Sequence, residues 1–144
     1  QRRDAMTRGR KVKIGLDETE LNRLSSEVIG AAIEVHRHLG PGLLESVYEH
    51  CLCTELWARG VAYERQVPVP IVYKGNTVNV DGLRLDVLVG GGLVVEIKAI
   101  KRVLPVHEAQ LLSYLRLSGH HLGLLLNFNV PVMRDGVKRI VNGL

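Results

Sequence analysis

The chain has 144 residues, a one-domain length, and 46% of them are hydrophobic, enough for a single core. Its formal net charge is +4, much of it from a segment in which Arg2, Arg3, Arg8, Arg10, Lys11 and Lys13 face only Asp4. No run is long enough to span a membrane, no signal-peptide core is present, and Cys51 and Cys53 point to different faces of a helical pattern, which favours neither a disulfide nor a zinc site. These features fit a cytoplasmic protein with reduced thiols. Residues 1–16 read as a flexible basic arm, suited to nucleic acid or simply to solubility, and residues 17–144 as the domain.

The first helix is predicted to start near Asp17, which has capping-box spacing to Glu20. Leu21, Leu24, Val28, Ala31, Val35 and Leu39 then recur every three or four residues. Gly40-Pro41-Gly42 stops that helix and starts a second, which runs to about Arg59 and ends at Gly60. Val67 to Tyr73 reads as a strand pushed toward a sheet edge by Pro68 and Pro70. Lys74-Gly75-Asn76 is a turn, Thr77 to Val80 pairs back, and Leu83 to Val89 is a further strand. After Gly90-Gly91-Gly92 comes the strand Leu93 to Ala99. Pro105 opens a third helix that Gly119 ends, followed by strands His121 to Asn127 and Val137 to Val141. This order predicts a mixed α/β or α+β domain.

A hairpin centred on Gly91 places Asp86 opposite Glu96 and Arg84 opposite Lys98. Alternation gives Arg84, Asp86 and Leu88 one face and Val94, Glu96 and Lys98 the matching one, while the other face is wholly apolar. Two carboxylates with Cβ atoms about 5 Å apart repel unless a proton, a basic neighbour or a cation intervenes. Mg²⁺ takes such a pair with waters and phosphate. The bland alternative is a surface ladder of diagonal salt bridges, Arg84–Glu96 and Asp86–Lys98. Glu45 and Glu49 share a helical stripe with Leu52 and Leu56, so Glu45 is a candidate third acid, with Glu49 as the alternative. On the third helix Gln110 and Tyr114 share a face, one turn after His107. His36, His38, His120 and His121 read as structural or exposed.

Asp86-x₉-Glu96-Ile97-Lys98 on a hairpin, then a helix with Gln110-x-x-x-Tyr114, resembles the PD-(D/E)XK nuclease superfamily and its RecB-like branch. Gly42-Leu43-Leu44-Glu45-Ser46-Val47-Tyr48 is similar to the helix motif of the GxxExxR group of small proteins on that fold, with Tyr48 in place of the arginine. Leu85 stands where the motif name has proline. The pieces Gly123 to Phe128 and Gly136 to Ile140 extend the resemblance over about residues 20–142. It implies a restriction-endonuclease-like core, a central mixed sheet flanked by helices, with an extra N-terminal helix. It also implies a Mg²⁺ (or Mn²⁺) site of Asp86, Glu96 and the Ile97 carbonyl helped by Glu45, with Lys98, Gln110 and Tyr114 as catalytic partners. Arg84, Lys101 and Arg102 are then candidate contacts for nucleic acid, expected to be DNA. Two other readings remain: an inactive nucleic-acid-binding or assembly module, and a homo-oligomer using Val28, Ile29, Ile33 and Val35 of the first helix.

Overall fold

The structure is a computed structural model that describes residues 16–78 and 83–144. The predicted arm, except Leu16, and the end of the predicted strand Thr77 to Val80 lie outside the described residues.

Helix α1 (Glu18–Leu39) starts where expected, with the Asp17 carboxylate accepting the Glu20 N–H at 2.8 Å. Its apolar excess turns mostly inward: Val28 and Val35 are buried and Ile29 is half-buried, leaving Ile33 exposed. Helix α2 (Glu45–Ala58) follows the Gly-Pro-Gly stop. Tyr48 is fully buried there; its hydroxyl donates to the Gly40 carbonyl (2.6 Å) and accepts the Leu43 N–H (3.1 Å). Its ring stacks on Phe128, with centroids 4.5 Å apart. Tyr48 thus clasps the α1–α2 loop and is turned away from solvent. Tyr48→Phe leaves two backbone groups short of a partner, a cost of about 1–3 kcal/mol. A fall of several degrees in Tm is expected, with the loop's amides exchanging faster; an unchanged Tm would show the clasp to be idle.

The five-stranded sheet has the order β1 (Tyr63–Pro68), β4 (Arg84–Val89), β5 (Leu93–Lys98), β6 (Leu122–Asn127), β7 (Val137–Val141), while β2 (Ile71–Tyr73) and β3 (Asn76–Val78) form a separate hairpin. Neighbours are antiparallel except β5 and β6, which run parallel and are joined through helix α3 (Pro105–Ser118). This is the mixed sheet flanked by helices, with an added N-terminal helix, that the sequence predicts. One strand differs. The expected strand Val67 to Tyr73 is two, starting earlier at Tyr63 and interrupted at Val69-Pro70, because Pro70 has no N–H to continue a ladder. A 3-10 turn, Met133–Gly136, was not anticipated; a side chain at Gly136 would run into the Asn127 carbonyl.

Each face of the sheet carries a core. Leu21, Leu24 and Val28 of α1 and Leu52 and Leu56 of α2 pack on Val87, Val89, Leu93, Val95 and Ile97. Leu111 and Leu115 of α3 pack on Leu85, Leu88, Val94 and Leu125 on the other side. Gly90 (φ +60) and Gly91 (φ +75) make the β4–β5 turn, and a Cβ at Gly90 would meet Leu24 at 2.5 Å, so α1 crosses tightly over it.

Candidate active site

The β4–β5 register is the one the triple glycine predicts: Val89↔Leu93, Leu88↔Val94 and Val87↔Val95. The next pair, Asp86 and Glu96, is opposite in sequence, but the ladder stops there. Side chains replace it. The Asp86 N–H donates to Glu96 Oε2 (3.1 Å) and the Ile97 N–H donates to Asp86 Oδ2 (2.8 Å). Each acid therefore caps the other's strand where the strands part. The β4–β5 ladder holds no pair beyond this point, so the predicted pairing of Arg84 with Lys98 is not part of it; Arg84 pairs with Pro68 on the other side of β4, and Lys98 with Asn127 on the other side of β5. Nor, among the described residues, does either diagonal salt bridge; Arg84 is exposed and its guanidinium donates to the Gln66 carbonyl (3.3 Å).

Burial raises the Glu96 carboxyl well above the usual carboxylate range, and the Asp86 charge raises it further. Burial raises Asp86 too, with repulsion from Glu49 and Glu45 adding to it and the Ile97 N–H opposing it. Lys98 lowers both, an electrostatic influence exerted without an ion pair to either acid. Among the described residues, Asp86 Oδ1 and Glu96 Oε1 accept no hydrogen bond, although Glu96 is 5% exposed. Buried oxygens without donors are costly. No group of three or more His, Cys, Asp or Glu among the described residues is arranged to hold a metal. Two carboxylates that each keep an undonated oxygen nevertheless suit the chemistry of Mg²⁺, whose protein ligands are often one or two carboxylates, with waters and phosphate completing the shell.

The helix acids differ in their surroundings. Glu45 is exposed in the first turn of α2, whereas Glu49, one turn on, is 6% exposed. Gln66 Nε2 donates to both Glu49 oxygens (3.1 and 3.0 Å), and Arg65 meets Oε2 through Nε (3.0 Å) and Nη2 (2.8 Å). Sequence reasoning gave Arg65 and Gln66 no role, because they precede the segment predicted as strand.

A family model described as the PD-(D/E)XK nuclease superfamily matches residues 22–140, a span that includes every candidate side chain. The chain belongs to the PD-(D/E)XK nuclease superfamily. No curated protein and no solved structure matches it. For a PD-(D/E)XK protein the expected substrate is nucleic acid and the usual cofactor a divalent metal.

The remaining candidates of this PD-(D/E)XK chain differ in their surroundings. Tyr114 on α3 is half-buried, and burial together with the Glu96 and Asp86 charges raises its phenol. Gln110 Nε2 reaches the Tyr114 hydroxyl at 3.4 Å. His107 does not join them: its Nδ1 accepts the Leu104 N–H (2.8 Å) and caps α3. Lys101 and Arg102 are exposed in the β5–α3 connection. Leu85, at the motif's proline position, is a core residue. Asn127, buried at the end of β6, donates to the Ile100 carbonyl (2.9 Å) and accepts the Ile100 N–H (3.0 Å), which anchors the chain just after Lys98. In the sequence it is the polar residue that closes the apolar run Leu122 to Leu126. A pocket of about 280 Å³ near Gly90 contains none of these residues. Its Arg59 is already bound to Glu55 and Glu27.

Proposed function

We propose that the chain is a metal-dependent nuclease that hydrolyses nucleic-acid phosphodiester bonds, DNA foremost. The supporting observation is the reciprocally bonded Asp86–Glu96 pair, with one undonated oxygen on each, at the end of the strand that carries Lys98. Asp86, Glu96 and the Ile97 carbonyl would hold Mg²⁺ or Mn²⁺, helped by an acid of α2, for which Glu45 is the motif position. When bound, such an ion polarises a phosphoryl oxygen and acidifies a water. Lys98 orients that water, helps take its proton and offsets charge developing on the phosphate. Tyr114 and Gln110 position the strand or the lysine. The exposed Arg84, Lys101 and Arg102 hold flanking phosphates. The motif order fits the RecB-like branch and the GxxExxR group, with Tyr48 giving the phosphate contact of that group no support. Burial pushes the Cys53 thiol up to about 12, an inert thiol that suits a reducing cytoplasm.

The test is incubation with plasmid, linear and single-stranded DNA and with RNA, in Mg²⁺ or Mn²⁺. Metal-dependent cleavage is expected, falling about a hundredfold or more in Lys98→Ala. Equal background cleavage by wild type and Lys98→Ala would refute the reading.

A further inference from the structure

Adjacent residues of a strand point to opposite faces of the sheet. Arg65 and Gln66 are adjacent on β1, yet both reach the carboxylate of Glu49. The backbone explains how. Gln66 has φ +52, a left-handed conformation that glutamine rarely adopts. The β1–β4 register is the same on either side of it, Arg65↔Val87 and Val67↔Leu85, and the missing pair between them is Gln66 and Asp86. At that level both strands change the core they face. Tyr63 and Val87 pack with α1 and α2, whereas Val67 and Leu85 pack with α3. The irregularity therefore does two things at one point. It releases Asp86 from the β1 ladder, and it swings the Gln66 amide round to the Glu49 side.

The consequence for Glu49 is specific. Its Oε2 accepts from Gln66 and from two nitrogens of Arg65, while Oε1 accepts from Gln66 alone. The carboxylate is held at a fixed orientation with bonding capacity left on one oxygen. Strained backbone of this kind persists where the surrounding structure enforces it and is concentrated at functional sites.

We propose that Gln66 and Arg65 are positioning residues that hold Glu49 as the α2 acid facing the metal-binding pair, Gln66 through the left-handed turn of β1 opposite Asp86. This rests on the metal-dependent reading above and deepens it, because it moves the third acid from the exposed motif position Glu45 to the buried Glu49.

The test is Mn²⁺ affinity of the full chain, measured by calorimetry and by the spin-resonance signal of free Mn²⁺, beside cleavage as a function of Mn²⁺ concentration. Gln66→Gly keeps the left-handed backbone and deletes the amide. It is expected to weaken Mn²⁺ binding about tenfold or more, with cleavage recovering at high Mn²⁺. Glu49→Gln should weaken binding at least as much, and the double variant no further, because Gln66 acts through Glu49. Gln66→Asn, which tolerates the same backbone with a shorter amide, should fall between wild type and Gln66→Gly and decides the matter if the glycine variant does not fold. Unchanged affinity in the Gln66 variants, or additive losses in the double variant, overturns the positioning role alone. A wild type that binds no Mn²⁺ overturns the metal-dependent reading and this one with it.

Discussion

Replacing Glu96 by glutamine is expected to cut the cleavage rate about a thousandfold and, at pH 8 without metal, to make the protein more stable. The first effect follows if the carboxylate is a metal ligand whose charge acts on the transition state. The second follows from the fold. Glu96 is buried next to Asp86, and burial and that neighbouring charge both raise its carboxyl. Ionising it therefore costs free energy that a neutral isostere does not. The substitution is not otherwise disruptive: the new side-chain carbonyl can still accept the Asp86 N–H. The gain should be on the order of 2 kcal/mol, or roughly 5 °C for a chain of this length. Single-turnover cleavage at saturating Mg²⁺ and thermal unfolding in EDTA measure the two. A variant that loses activity and stability together would mean that Glu96 is a structural residue. A variant that cuts like wild type would remove it from the chemistry.

This opposition of activity and stability also explains which parts of the site were legible in the sequence. The Asp86–Glu96 juxtaposition was readable because a three-glycine turn fixes a local register, and local register needs no tertiary information. Asp17, Gly40 and Gly119 marked helix ends for the same reason. The parting of β4 from β5 was not readable, and so Arg84 and Lys98 were placed face to face. Alternation assumes an unbroken ladder, and here carboxylates take over the backbone bonds. Nor could the periodicity of α2 rank Glu45 against Glu49. They occupy one stripe, and only the position of β1 along the helix decides which is enclosed. That position depends on a strand beginning at Tyr63, in a stretch without the alternation that announces one. The role of Tyr48 was hidden likewise, since its partners Gly40 and Phe128 come from a loop and from the far end of β6.

The acid pair should also give the protein an inverted pH response. A carboxyl whose pKa is raised by folding binds protons more tightly in the native than in the unfolded chain, so stability falls as pH rises between the two values. For Glu96 that window runs from the unfolded value of about 4 to about pH 8. Its stabilising contribution is complete below the window and lost above it. Other groups oppose this trend. Glu34 is held low by Arg37 and His38, and burial lowers His120, so both favour the native state as pH rises through their own ranges. The comparison of wild type with Glu96→Gln removes those shared terms. Their difference in Tm in EDTA should be small at pH 5.5 and widen toward pH 8, at no more than about 1.4 kcal/mol per pH unit for one proton. A divalent cation competes with the proton for the same oxygens, so 10 mM Mg²⁺ should raise the wild-type Tm most at pH 8 and least at pH 5.5; an ion present at about 100 times its Kd contributes about 2.7 kcal/mol. Parallel wild-type curves with and without Mg²⁺ would show that the ion does not displace that proton.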